Sequence, residues 1–410
     1  MKKKSLLIIF VGFSISLLGG NDWSMGVSSS IVETNSGPPE VLRVGPGMPY
    51  LTPSMAAKVA NNGDVIEIIA GTYPDDVASW PQNNLTIRGI YGRARMIAND
   101  NSAEGKGIWV VKGNNVTIEN IEFAGASVSD HNGAGIRFEG ANLTIRGCYF
   151  HDNENGILTG ENPASAILIE YSEFADNGFG DGYTHNIYVG KVNSLTVQFC
   201  YIHGAKRGHN VKSRARINYI FCNRIMDERK GTSSYAIDIS NGGAAYVIGN
   251  IIQQGALSEN YHVISYGAEA LSYAANKLFV VNNTIVNDRQ DGGVFVRVAT
   301  NSAPARLINN IFCGPGRTVE GPAIKKTNLT ISRNQKQAGV GGSSGLVDPS
   351  QFDYRLTLGS PAIDGGSNPG TDDGIDLLAK FQYSHVAKSE KRVVRAAMDI
   401  GAIEYDDQIR

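Results

Sequence analysis

Two short segments, HNIYVG (185–190) and HNVKSRAR (209–216), repeat one pattern of histidine, asparagine and an apolar residue. They therefore place Tyr188 and Lys212 at the same position of successive repeats, with Arg214 two residues beyond Lys212 and so on the same side of an extended strand. An amine, a guanidinium and a phenol held together suit one chemistry, the β-elimination of a uronic acid. That reaction needs a neutraliser for the carboxylate, a base for the C-5 proton and an acid for the leaving oxygen. Arg214 or Arg216 supplies the rigid fork for a carboxylate. Lys212 is the expected base, because nearby arginines favour the neutral amine. Tyr188 is the expected proton donor, and preorganised positive charge would stabilise the enolate-like intermediate. His209 or His185 paired with Tyr188 is the alternative base. A C-5 epimerase would use the same parts and reprotonate instead of eliminating.

Around these candidate catalytic residues (Lys212, Arg214, Tyr188 and His209), the spacing gathers a candidate substrate-binding set. Asn186, Asn210 and His262 fall at the rim, Asp238 one repeat beyond Lys212, and Tyr266, Arg216 and His185 close by. Glycoside hydrolysis, the competing reaction, wants two carboxyls about 5–5.5 Å or 6.5–9.5 Å apart. Asp238 is the one acid predicted beside the cluster, so a second would come from a loop, with Asp227, Glu228, Asp181 and Asp288 available. A non-catalytic carbohydrate-binding protein would instead use Tyr188, Tyr235, Tyr261 and Tyr266 as stacking platforms. No metal site is assigned. HDNEN (151–155) and DNGFGDG (176–182) carry oxygens that Ca2+ would accept, but Asp, Asn and Gly at the ends of repeats are ordinary turn chemistry. Ca2+ as carboxylate neutraliser stays an alternative.

What must position these residues is a repeat. An alternating apolar hexapeptide recurs as LTIRGI (85–90), VTIENI (116–121), LTIRGC (143–148), ILIEYS (167–172) and LTVQFC (195–200). It continues as NYIFCN (218–223), AYVIGN (245–250), LFVVNN (278–283), ARLINN (305–310) and LTISRN (329–334). The ten copies are spaced by 23 to 33 residues. A second strand precedes most of them, which is the arithmetic of an all-β parallel β-helix of about ten coils. The right hand follows from the preference of parallel crossovers. Aligning the second strands predicts an inward column Ile108, Ile136, Ile157, Ile187, Val211, Ile237, Val263. The outward columns are Trp109, Arg137, Leu158, Tyr188, Lys212, Asp238, Ile264 and Val111, Glu139, Gly160, Gly190, Arg214, Ser240, Tyr266, the latter continued by Arg297. Asn223, Asn250, Asn283, Asn310 and Asn334 predict an asparagine ladder. Cys148 and Cys200 are two coils apart, too far for a disulfide.

Thr52-Pro53 followed by Ser54–Ala60 predicts a capped N-terminal helix over the open end, leading into GDVIEIIAGTY (63–73). This opening, with the ending LVDPSQFDYRLTLGSPAIDGG (346–366) and DIGAIEY (399–405), resembles the pectin-lyase-like right-handed β-helix proteins. The resemblance spans about residues 41–405 and implies that fold, but it leaves lyase, hydrolase, epimerase and binding activities open. It is similar to the lyases of that superfamily that use Lys and Arg on the helix face. The coils are expected over 41–335 and an irregular segment over 345–405, packed on the last coils through Tyr354, Leu356 and Ile363.

Composition narrows the setting. The 410 residues are 42% hydrophobic and 19% charged, with 48 glycines, four cysteines and a net charge of −2. That excludes a disordered chain and a disulfide scaffold, and gives no overall attraction to nucleic acid or anionic membrane. Lys2, Lys3 and Lys4 before the apolar run Leu6 to Leu18 read as a signal peptide over residues 1–26, cleaved somewhere in 19–30. The expectation is a secreted or periplasmic monomer acting on an acidic polysaccharide.

Overall fold

The computed structural model describes residues 38–332 and 345–406; the signal-peptide reading and Asn334 lie outside them. The chain winds into parallel coils of up to three short strands. In one coil these are Ile217–Phe221, Arg224–Met226 and Ile237–Ile239. The first two kinds of strand join a 21-stranded sheet and the third a ten-stranded sheet, with parallel pairing from coil to coil. Ile220, Val247, Val280 and Leu307 thus form one inward column, and Ile136, Ile157, Ile187, Val211 and Ile237 form another, in the predicted register. Inside the early coils Trp80, Trp109, Phe123, Phe150 and Phe174 pack ring to ring, with centroids 4.7–5.4 Å apart.

The corner between the first two strands is built by two residues. One takes the left-handed conformation, as at Tyr171, Phe199, Cys222, Asn282, Asn309 and Thr327, with φ between 51° and 58°. The next residue points inward and joins a ladder: Cys148, Ser172, Cys200, then Asn223, Asn250, Asn283, Asn310 and Asn328. Asn250 is representative. Its Oδ1 accepts the Asn223 backbone N–H at 2.9 Å and the Asn223 Nδ2 at 3.0 Å, while its own Nδ2 donates to the Ile220 carbonyl and the Asn283 Oδ1. Each left-handed non-glycine costs about 1 kcal/mol or more, which the ladder offsets through these buried bonds to backbone and side-chain amides.

Four expectations are corrected. Among the described residues the ladder member after Asn310 is Asn328, because Leu329–Ile331 pairs with Ile311–Cys313 and not with the preceding repeat strand. The outer register slips by one residue at both ends. Trp109 pairs with Ile136, so Trp109 points into the core. Ile264 pairs with Ile237, so Ile264 and Tyr266 turn inward and Ser265 falls beside Asp238. Gly107–Val111 and His262–Tyr266 are buried throughout, so neither shows the alternation that fixes register. The N-terminal helix, Pro53–Ala57, has proline in its first turn but no side-chain cap from Thr52; Ser54 donates its N–H to Asp76 instead. Finally, the C-terminal segment reaches well beyond the last coils. Tyr354, Leu356 and Tyr383 pack with Tyr201, Met226, Ile251 and Ile311, and Tyr171 contacts Ser389.

Replacing Asn250 by Ala leaves a backbone N–H, two side-chain amides and a carbonyl short of partners inside the coil. Stability should fall by about 2–4 kcal/mol, read from denaturant midpoints. Asn115→Ala, in the exposed asparagine row Asn84, Asn115, Asn142, should cost under about 1 kcal/mol.

Candidate functional site

The predicted basic cluster assembles on the outer side of the ten-stranded sheet. Tyr188, Lys212, Asp238, Ser265 and Arg297 are consecutive register partners in one column. Arg297 therefore extends the Lys212 column, not that of Arg214. Beside it runs a row of rings: His185 stacks on His209 at 4.7 Å, His209 lies 4.8 Å from Tyr235, and Tyr235 6.2 Å from His262.

The cations are paired. Lys212 Nζ lies 3.1 Å from Glu269 Oε1 and 3.7 Å from Asp238 Oδ2. Arg214 donates Nε to Tyr188 Oη at 2.9 Å and Nη1 to Asn241 Oδ1 at 2.6 Å, and its Nη1 also meets Glu269 Oε2 at 2.6 Å. Both cations approach the Tyr188 ring, at 5.9 and 5.8 Å from its centroid. Glu269 was not among the predicted residues. It sits on residues 267–276, which lie against the end of the sheet through Glu269 and Ala270 N–H bonds to Ser240 and a Ser272 N–H bond to Asn241. Its signal was the 33-residue spacing between the repeats ending at Asn250 and Asn283, the longest in the chain. The surrounding positive charge expected to favour a neutral Lys212 is thus met by two carboxyl groups.

The two carboxyls differ. Asp238 is buried, and burial pushes its carboxyl above the usual range against the Ser240 hydroxyl bond and the Lys212 charge. Burial also works to raise Glu269, but bonds from Arg214 and Lys212 outweigh it and hold that carboxyl low. The histidines are poor bases as placed. His185 Nδ1 accepts the His209 backbone N–H at 2.9 Å, and His209 Nδ1 accepts that of Tyr235 at 3.3 Å. Each neutral ring therefore carries its proton on Nε2, and that of His209 points to Asp238 Oδ2, 3.6 Å away. Burial, helped by nearby positive charge, drives His185 far down and His209 to about 3.

Other predicted members lie elsewhere. Asn186 and Asn210 are fully buried in a second ladder, Asn153–Asn177–Asn186–Asn210, with amide contacts of 2.7–2.9 Å. A turn asparagine and a rim asparagine look alike in sequence. Tyr266 is in the core, its hydroxyl donating to the Gly243 carbonyl. Arg216 is exposed and donates to Asn193, with no bond to the cluster. His262 stays in the ring row, buried, with Glu320 Oε1 3.9 Å from its Nε2. Asp227 is bonded to Ser258 and Gly255, Glu228 to Tyr201, Asp181 to Tyr183 and Asp288 to Gln253. In HDNEN and DNGFGDG, Asn153 and Asn177 belong to the ladder and Glu154 accepts N–H bonds from Val128 and Gly133, as turn chemistry requires. Among the described residues, no three His, Cys, Asp or Glu side chains are grouped to hold a metal ion.

Residues 82–252 match the family model described as a right handed beta helix region. The chain is a right-handed parallel β-helix. Among solved structures it is similar to the pectate lyase Pel9A, at 14% identity with a TM-score of 0.62, over 91% of this chain and 98% of that one. A second match, Geobacillus virus E2 ORF18, has a TM-score of 0.37 at 14% identity, over 66% of this chain and 53% of the other. No curated protein matches the sequence. At such identity the likeness establishes the β-helix fold and does not reach the site residues.

The buried histidines make the molecule acid-sensitive. In the unfolded chain they take up protons near pH 6.5, whereas in the folded coil they resist until far lower pH. Folded pKa values below the unfolded ones give stability present above pH 6.5 and lost as pH falls toward about 3. Between pH 6.5 and 5 each should cost about 1 kcal/mol per pH unit. Urea unfolding at a series of pH values should show that slope, and His185→Asn, which keeps an acceptor for the His209 N–H, should reduce it by one histidine's share.

Proposed function

We propose that this protein is a polysaccharide lyase that cleaves a uronic-acid-containing polymer by β-elimination on the outer side of the ten-stranded sheet. One observation carries the reading: a carboxylate, that of Glu269, already bridges Lys212 and Arg214 beside a phenol bonded to the same guanidinium. The substrate carboxylate takes this seat when residues 267–276 release it. Arg214 then neutralises the uronate and stabilises the negative charge that grows on it as C-5 loses its proton. Lys212 is the base. Its proton passes to Asp238, 3.7 Å away, whose burial favours the neutral carboxyl, and the amine left behind accepts the C-5 proton. The C–H electrons form the C-4 to C-5 double bond, the C-4 to oxygen bond breaks, and Tyr188 gives its proton to the departing oxygen. Export from the cell, read from residues 1–26, fits a polymer substrate.

A hydrolase is the second reading, favoured by the carboxyls on either side of Lys212. Asp238 held high and Glu269 held low have the split expected of a proton donor and a base or nucleophile.

Incubation with pectate, alginate, glucuronan and glycosaminoglycans separates the readings. Elimination should raise ultraviolet absorbance from the unsaturated uronate, whereas new reducing ends without absorbance mean hydrolysis. Lys212→Ala and Tyr188→Phe should each lower turnover by about 10²–10⁴-fold with little change in KM, while Arg214→Ala should worsen both. Full turnover in Lys212→Ala would remove it as the base.

A further inference from the structure

Glu269 covers the two cations from the solvent side. Its side chain is 45% exposed, while those of Lys212 and Arg214 beneath it are 13% and 18% exposed. A ligand arriving from water therefore meets this carboxylate before it meets either cation. Ala268 and Ala270 flank it and are exposed as well, so little apolar burial holds this stretch down, and such segments open locally at low cost.

The residues on either side are anchored. Gly267 is buried and donates its N–H to the Ile239 carbonyl at 2.8 Å. Leu271 packs partly against the core. Ser272 donates its N–H to the Asn241 carbonyl at 2.9 Å and its hydroxyl oxygen accepts Asn241 Nδ2 at 2.9 Å. The Tyr273 hydroxyl donates to the Arg214 carbonyl, and Asn276 Oδ1 accepts the Gly243 N–H at 2.9 Å. Between these anchors, the N–H groups of Glu269 and Ala270 share the single Ser240 carbonyl, at 3.0 and 3.1 Å, and the Glu269 ion pairs do the rest. Residues 268–270 can therefore lift while the remainder of the insertion stays in place.

We infer that Glu269 is an internal competitor for the substrate carboxylate, carried on a tip of residues 268–270 that closes the seat between Lys212 and Arg214 in the free protein. The inference rests on the lyase reading above and adds the regulation of that site. A lone uronate exchanges one carboxylate for another and gains little, whereas a chain lying along the coils brings further contacts to the same exchange. Apparent affinity scales with the fraction of molecules whose tip is lifted. A seat closed for about 90–99% of the time binds a short uronate about ten- to a hundredfold more weakly than an open one.

Calorimetry on Glu269→Gln tests it, since glutamine keeps the size of the side chain and removes its charge. The probes are galacturonate, glucuronate and mannuronate as monosaccharides, which have no glycosidic bond to cleave, with glucose as the neutral control. At least one uronate should bind Glu269→Gln about ten- to a hundredfold more tightly than it binds the wild type. Added salt should erode that gain, because two cations then stand uncompensated. Glu269→Ala should show the same gain, glucose should bind all three proteins alike, and an unaltered unfolding midpoint will show that the fold is intact. Equal or weaker uronate binding by both variants, while the wild type still releases unsaturated uronate from a polymer, would overturn the gate and leave the lyase reading in place. Uronates bound by the variants no better than glucose, with no unsaturated product from any polymer, would overturn both.

Discussion

The contact on which everything else depends is the amide passed from coil to coil at the corner. A parallel strand pair fixes the spacing of about 4.8 Å, but it can slide by a residue wherever its side chains do not alternate. The buried row from Asn223 to Asn328 prevents that sliding, because each amide bonds both the backbone and the side chain of its neighbour, and Cys148 and Cys200 continue the row through backbone N–H bonds to Ser172 and Asn223. The left-handed residue before it sets the bend, and the same bend in every coil keeps the third strands in line. Tyr188, Lys212 and Asp238 come from residues about 25 apart in sequence and become neighbours because of this.

Given fixed columns, chemistry is a matter of substitution on one side only. Ile187, Val211 and Ile237 fill the core, so the residues between them are free of packing duty and can be a phenol, an amine and a carboxyl. The second ladder serves the same end on the other flank. By taking Asn186 and Asn210 inside, it brings His185 and His209 out beside the column, where their rings stack and their Nδ1 atoms hold backbone N–H groups. The histidines thus pin the strand starts and back Asp238, and the column is left to meet the substrate.

The sequence shows this plan where alternation is strict. From Ile136 to Ile237 the inward residues are apolar apart from the small Thr159 and Ser213, so inside and outside are legible and Lys212, Arg214 and Tyr188 fall together. It fades where both sides are apolar, as at Trp109, Ile264 and Tyr266, since a strand buried on both sides carries no period. It cannot separate a ladder asparagine from a rim asparagine: Asn210 and Asn223 are both turn residues by composition, and only the direction of the corner tells them apart from a surface group. Glu269 was hidden for another reason. It approaches from an insertion, and loop position follows from packing against Ser240 and Asn241, not from any repeat.

That insertion also decides how a substrate can bind. With Glu269 seated, the two cations and two carboxyls of the cluster balance, and the long-range attraction for an anion is weak. Replacing one carboxylate by another changes the number of ion pairs little, so the exchange alone yields little free energy. The rest must come from contacts elsewhere along the coils, where a polymer reaches and a monosaccharide does not. A solenoid provides such contacts naturally, because each further coil presents the next position of the same column. The seat at Lys212 and Arg214 then selects the reacting sugar, and the length of the column supplies the affinity that opens it.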